Sequence, residues 1–107
     1  GRNRFVPDDE RPVPFRNMVY IGDGMTDVPC MKLVKANGGH SIAVHQKGRK
    51  AAVEDLLAHQ RVDFLAPADY SEGRELDRLV KRILDRMAVV NDLVESHLGQ
   101  LRDISRP

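Results

Sequence analysis

Short runs of apolar residues recur along the chain, and each is followed by a longer stretch with a helical apolar period. Residues 18–21 (MVYI) form the first run and end at Gly22, a pattern typical of a strand that is buried on both faces. Similar runs at residues 41–44 and 62–65 predict a second and a third strand. The hydrophobic pattern therefore predicts three short strands.

The amphipathic stretches after these strands predict three helices. Thr26 is predicted to cap the first, which should end at Gly38 and Gly39 because glycine readily adopts the left-handed conformation of a helix end. Ser71 is predicted to cap the third, which should run over about residues 72–103. The second helix has a predicted buried stripe of Ala52, Val53, Leu56 and Leu57.

The order of these elements predicts the fold class. Strands that alternate with helices build an α/β fold, in which parallel strands are joined by helical crossovers. We therefore predict a Rossmann-like parallel sheet within residues 18–107, followed by the long C-terminal helix. Residues 1–17 contain Pro7, Pro12 and Pro14 and no apolar period, so they are predicted to form a proline-containing lead-in segment.

The last helix carries an apolar seam in which spacings of four and three residues alternate. Its members are Leu76, Val80, Ile83, Met87, Val90, Val94, His97 and Leu101. This spacing is typical of a helix that pairs with another helix, with His97 as one polar break. The half before Met87 is predicted to pack on the sheet. The half beyond it is longer than one small domain needs and is a candidate surface for a homo-oligomer.

Composition and charge exclude some classes of binding partner but do not identify the function. The chain has a formal net charge of +1, and its basic residues are spread along the sequence, so it lacks the basic patch that favours nucleic acid or an anionic membrane. No apolar run approaches the roughly 20 residues that cross a bilayer. The single cysteine, Cys30, excludes an internal disulfide and suits a reducing compartment, so a cytoplasmic location is expected.

Candidate chemistry is concentrated in residues 22–27 (GDGMTD), directly after the first predicted strand. Ligands of an open parallel sheet bind beyond the carboxyl ends of its strands, where Asp23 lies. Asp27 follows four residues later, and the glycines Gly22 and Gly24 allow a tight turn that brings the two carboxylates together. The plain alternative is that Asp23 is a turn residue and Asp27 a charge at a helix start.

Two carboxylates held close together repel unless a cation lies between them or one binds a proton. Mg²⁺ suits such a pair, because it uses few protein carboxylates together with waters and phosphate oxygens. The helix start beside Thr26 adds N–H donors for an anion. These residues therefore predict a site for Mg²⁺ and a phosphate group.

The motif GDGMTD after an apolar strand resembles motif IV of the haloacid-dehalogenase superfamily, whose pattern is a strand, Gly-Asp, three residues and Asp. The longer run over residues 18–44, with DFLAPADYS at residues 63–71, resembles the phosphoserine-phosphatase-like hydrolases of that superfamily. The resemblance covers most of residues 18–85. It implies that Asp23 is a direct Mg²⁺ ligand and that Asp27 is a second ligand or its hydrogen-bonding support.

The same resemblance implies parts that this sequence does not match. The nucleophile and the acid/base of the family form a DxD pair on an earlier strand, whereas Asp8 and Asp9 are adjacent and follow no apolar strand. Arg11 and Arg16 are candidates for the basic residue of motif III. The alternative is that each is a solvent-exposed arginine without a special role, as most arginines are. The chain is therefore expected to be the C-terminal part of such a hydrolase.

The implied activity is hydrolysis of a small phosphomonoester through an aspartyl phosphate. The chain alone is expected to be inactive, and the expected partner is the missing N-terminal half or a second copy. Two other interpretations stay open: a non-catalytic interaction or dimerisation module of the same origin, and a phosphate-binding domain that does not hydrolyse its ligand.

Overall fold

Three parallel strands form the centre of the computed structural model, which describes residues 13–106. The strands are β1 (Val19–Gly22), β2 (His40–His45) and β3 (Phe64–Pro67). They lie side by side in chain order, so β2 is central and β1 and β3 are the edges of the sheet within the described residues. The predicted α/β class and the parallel sheet are confirmed.

Helices cover both faces of this sheet. They are α1 (Val28–Ala36), α2 (Ala51–Ala58) and α3 (Glu75–Ser105). On one face, α1 and α2 pack against β2 around Met31 and Ala43, both fully buried. On the other face, α3 packs against β2 and β3 through Leu76, Ile83 and Met87. The alternation of side chains along a strand supplies both cores, because neighbouring residues of β2 point to opposite faces.

The strand positions differ from the predicted ones by up to two residues. The third strand was predicted at residues 62–65 and lies at Phe64–Pro67. Val62 is only 1% exposed although it precedes the strand, because it packs in the core beneath α1 and α2. The apolar run therefore predicted the burial of this segment correctly, but it placed the strand two residues too early.

The predicted end of the first helix is confirmed, and its predicted start is wrong. The Gly39 N–H bonds to the carbonyl of Val34, and Gly38 has a φ of +89°, which together close the helix end. Thr26 does not cap α1; it lies in a 3-10 turn over Met25–Asp27, and α1 begins at Val28. Asp27 occupies the N-cap position of α1, but its carboxylate bonds the N–H groups of Asp23 and Gly24 in the preceding loop and makes no capping bond to the helix.

The predicted cap of the last helix is also wrong, because α3 begins at Glu75 and not after Ser71. Asp77 in its first turn accepts the Gly73 N–H at 2.8 Å and pairs with Lys81 at 2.9 Å. The Asp77 carboxylate thus ties the start of α3 to the loop before it, and no side chain caps the helix at its N-cap residue, Arg74. The helix ends at Ser105, two residues beyond the predicted end.

The predicted stripe of α2 is half correct. Val53 and Leu56 are buried, whereas Ala52 and Leu57 are exposed. A short helix that packs on one face of a small sheet buries a narrow stripe, so the positions on either side of the stripe stay in water.

Part of the lead-in segment packs on α3. Phe15–Asn17 forms a 3-10 turn with Phe15 buried, and Arg16 Nε donates a 3.1 Å hydrogen bond to Asn91 Oδ1. Asn91 Nδ2 in turn donates to Asn17 Oδ1 at 2.8 Å. Residues 1–12 of the segment, which include Asp8, Asp9 and Arg11, lie outside the described residues.

Burial along α3 divides the predicted seam at Met87. Leu76, Ile83 and Met87 are buried, while Leu101 is 47% exposed. The first half packs on the sheet as predicted. In the second half, the seam residues Val90 and Val94 are half-buried, and His97 and Leu101 are exposed. Four apolar side chains outside the seam are exposed there as well: Val89, Leu93, Leu98 and Ile104. Over residues 13–106, no helix combines the length and the apolar character that crossing a membrane requires.

Candidate functional site

The loop after β1 holds the predicted site residues. β1 ends at Gly22, the chain turns through Asp23 and Gly24, and a short 3-10 turn leads into α1. The loop therefore lies at the carboxyl end of a parallel strand, where ligands of such sheets bind.

The Asp27 carboxylate closes this loop. Its Oδ2 accepts the backbone N–H of Asp23 at 3.1 Å and that of Gly24 at 3.3 Å. Its Oδ1 accepts the hydroxyl of Tyr20 at 2.8 Å. Both carboxylate oxygens are thus bonded to groups of the same loop and strand, which fixes the turn that follows β1.

These contacts shift the pKa of both partners. The Tyr20 hydroxyl, followed by the N–H groups of Gly24 and Asp23, lowers the pKa of Asp27 below its ordinary value, because the donors stabilise the ionised form. The Asp27 carboxylate raises the pKa of Tyr20 to about 12, since it accepts the proton that ionisation would remove. The contact therefore favours an ionised Asp27 beside a neutral Tyr20.

Gly22 is required by the close approach of Asp27. A Cβ built on Gly22 would lie 2.6 Å from Asp27 Cγ and 2.7 Å from its Oδ2, well inside van der Waals contact. Gly24 differs, because its φ of −146° is open to any residue and the nearest atom to its Cβ would be Thr26 Oγ1 at 4.0 Å. The two glycines predicted to permit the turn therefore have unequal roles.

Asp23 and Thr26 present exposed side chains in this loop. The Asp23 carboxylate has no hydrogen-bond or ion-pair partner among residues 13–106, although its backbone N–H bonds to Asp27. Thr26 lies one residue before Asp27 in the 3-10 turn and supplies no capping bond. The loop thus contains one carboxylate that is held by hydrogen bonds, that of Asp27, and one that is exposed to solvent, that of Asp23.

This arrangement fits Mg²⁺ held by few protein ligands. Within the described part of the chain, no three His, Cys, Asp or Glu side chains lie close enough to hold a metal ion. Mg²⁺ commonly binds through one or two carboxylates and completes its shell with water and phosphate oxygens. Asp23 fits the direct ligand, and the three hydrogen bonds of Asp27 fit the supporting role.

Tyr20 is a site residue that the sequence reasoning missed. It lies two residues before Gly22, so both face the α1 side of the sheet, and Asp27 is brought against that face at the start of α1. The sequence indicates that Tyr20 and Gly22 share one strand face, but it does not show that the start of α1 meets that face.

Comparisons with known proteins add a relative but no function. No family model matches the chain, and no solved structure matches it. An uncharacterized protein of Borreliella burgdorferi is 34% identical over 77 residues. The match covers 69% of this chain and 27% of the length of that relative, so the chain corresponds to about a quarter of the relative.

Proposed function

We propose that this chain is the C-terminal, Mg²⁺-binding part of a haloacid-dehalogenase-like phosphatase. The phosphatase hydrolyses a small phosphomonoester through an aspartyl-phosphate intermediate, and its nucleophile lies outside these 107 residues. The observation that carries the proposal is the loop of residues 22–27, in which Asp27 is bonded on both oxygens and Asp23 is left exposed at the end of a parallel strand.

The free edge of β1 supports a site shared with another segment. β1 pairs with β2 on one side and with no other described strand. A strand added along that edge would end beside the loop of Asp23, because parallel strands place their carboxyl ends at one edge of the sheet. A nucleophile at the end of that strand would then face Asp23.

The residues of this chain would position groups and not perform the bond-breaking step. Asp27 holds the loop through the backbone of Asp23 and Gly24, and Asp23 offers an exposed carboxyl group as a ligand. Bound Mg²⁺ supplies positive charge that neutralises the transferring phosphoryl group. The chain alone should therefore show no turnover of p-nitrophenyl phosphate.

Titration of the 107-residue chain with Mg²⁺, followed by ¹H–¹⁵N NMR, tests the site directly. Shifts should concentrate on residues 22–27, and Asp23→Asn should weaken binding much more than Asp27→Glu. Asp103→Asn is the matched control, since it removes a carboxylate on the exposed end of α3. Equal Mg²⁺ binding by wild type, Asp23→Asn and Asp27→Glu would show that the site assignment is wrong.

A second candidate function is a non-catalytic interaction module of the same fold. The exposed apolar side chains beyond Met87 on α3, such as Leu93 and Ile104, favour it. The Mg²⁺ titration separates the two, because an interaction module has no need of a metal at Asp23. Absence of any Mg²⁺-dependent shift in residues 22–27, with or without added phosphate, would favour the module.

A further inference from the structure

A groove runs between β3 and α3 on the face of the sheet opposite α1. Two adjoining cavities form it, of about 470 and about 250 Å³, and both are lined by Phe64, Leu79 and Arg82. The size of this groove is in the range of pockets that bind small organic molecules.

One wall of the groove is basic. Arg78, Arg82 and Arg86 follow one another at four-residue spacing on α3, so their side chains lie along one side of the helix. Arg82 and Arg86 line the smaller cavity, whereas Arg78 lines the larger one together with Glu75. Within residues 13–106, these three guanidinium groups have no hydrogen-bond or ion-pair partner.

The floor of the groove is apolar. Phe64 is 39% exposed although it lies in a strand, and Leu79 and Ile83 of α3 lie beside it in the smaller cavity. An exposed aromatic side chain between an apolar floor and a basic wall favours a ligand with an apolar body and an anionic end.

His40 gives the smaller cavity a second polar feature. It is the first residue of β2, only 7% exposed, and its buried Nδ1 has no hydrogen-bond partner in the described part of the chain. Buried ring nitrogens normally have a partner. The His40 ring lines the end of the groove where Arg82 and Arg86 lie, and no acidic residue is among the lining residues of that cavity.

We propose that this groove binds a small amphipathic anion. A carboxylate or phosphate headgroup lies in the smaller cavity against Arg82 and Arg86, and an apolar body lies along Phe64 and Leu79 toward the larger cavity. The headgroup belongs at that end because Glu75 would repel it at the other. Planar guanidinium groups bind both kinds of headgroup through paired N–H donors.

This site is separate from the loop of Asp23 and Asp27. The groove includes the first residues of β2 and β3, His40 and Phe64, whereas the loop follows the last residue of β1. Because the strands are parallel, these features lie toward opposite ends of the sheet. The groove also lies on the α3 face, and Asp27 leads into α1 on the other.

Fluorescence titration of the 107-residue chain with 1-anilinonaphthalene-8-sulfonate, an amphipathic anion, tests the proposal. We expect saturable binding at one site, with competition by octanoate and octyl phosphate and much weaker competition by octanol. The relative strength of octanoate and octyl phosphate then identifies the preferred headgroup. Arg82→Gln should weaken binding at least about tenfold, since a charge-assisted hydrogen bond contributes roughly that factor or more.

Arg102→Gln is the matched control, because Arg102 lies beside exposed Leu98 and Leu101 on the same helix and could attract the dye independently. It should leave the affinity unchanged. Arg86→Gln provides a second exposed variant that does not disturb the core. The proposal is wrong if Arg82→Gln and Arg86→Gln both bind like wild type, if Arg102→Gln causes the larger loss, or if octanol competes as well as octanoate.

Discussion

The hydroxyl of Tyr20 donates a 2.8 Å hydrogen bond to Oδ1 of Asp27, seven residues further along the chain. This bond ties the strand before the loop to the carboxylate that closes it. The exposed Asp23 lies between the two, and its backbone N–H bonds to the other oxygen of Asp27. The position of Asp23 therefore depends on a contact that involves neither its own side chain nor a metal.

Tyr20→Phe should raise the pKa of Asp27 toward its ordinary value, because the Tyr20 hydroxyl is the largest cause that lowers it. A carboxyl with a lowered folded-state pKa contributes stability above its unfolded pKa and loses it as the pH falls through the folded value. The variant should therefore lose less stability on acidification than wild type. Carboxyl-carbon NMR titration of Asp27 and urea unfolding at several pH values measure both effects.

The same bond predicts the behaviour of the protein in alkali. The folded-state pKa of Tyr20 is raised to about 12, so its contribution to stability is complete below the unfolded value and is lost as the pH rises through about 12. Tyr70→Phe is the matched control, because Tyr70 is 68% exposed and the substitution removes the same hydroxyl without removing the hydrogen bond to Asp27, which Tyr20 donates. An unchanged Asp27 titration in Tyr20→Phe would contradict the contact.

Gly22→Ala should destabilise the protein and disturb the loop, because the new Cβ would lie 2.6 Å from Asp27 Cγ. Overpacking of this kind costs about 1–3 kcal/mol. Gly24→Ala should have a small effect, since its backbone is extended and its added Cβ would meet no atom closer than 4.0 Å. Urea unfolding of the two variants measures the difference, and equal stabilities would contradict the loop geometry.

The sequence predicted elements better than it predicted their ends. The apolar run at residues 62–65 contains Val62, which is buried by the helices before the strand begins. Periodicity reports burial, and a buried residue just outside a strand gives the same signal as one inside it. Ser71 was a reasonable cap by residue type, but the reach of Asp77 back to Gly73 sets the start of α3.

The candidate loop was predictable in its spacing and not in its contacts. Gly22 and Asp27 were identified from their positions after an apolar run, and the structure places them against each other. The hydrogen bond from Tyr20 to Asp27 depends on which face of β1 packs against the start of α1, and this is a tertiary contact that the local sequence does not determine. The inequality of Gly22 and Gly24 has the same origin, because only one of them meets the Asp27 side chain.

Ile83→Ala should destabilise the fold by about 2–5 kcal/mol, because it leaves a cavity where α3 packs on β2 and β3. Leu84→Ala is the matched control: Leu84 is the next residue of the same helix and is 51% exposed. The control should change stability by much less. Chemical unfolding of the two variants measures the difference, and a similar loss in both would mean that α3 does not pack on the sheet through Ile83.

We expect the chain to self-associate, because two apolar features lack a partner within residues 13–106. One is the outer edge of β1, which pairs with β2 alone and where Ile21 is 36% exposed. An unpaired strand edge favours pairing with another chain. The other is the end of α3, where Leu101 and Ile104 are 47% and 79% exposed. Burial of such a side chain contributes on the order of 1.5–3 kcal/mol.

Sedimentation velocity at tens of micromolar should therefore show a species heavier than the 12.1 kDa monomer. If α3 forms the contact, Leu101→Glu and Ile104→Glu should each dissociate the associated species, because they place a charge among exposed apolar side chains. Ser96→Glu is the control: it adds the same charge away from the apolar seam and should leave the associated species intact. Dissociation by neither the Leu101 nor the Ile104 variant would direct attention to the strand edges of the sheet, at β1 and β3, which are unpaired within the described residues. A monomer at every concentration would contradict the prediction and would mean that both features are covered within one chain.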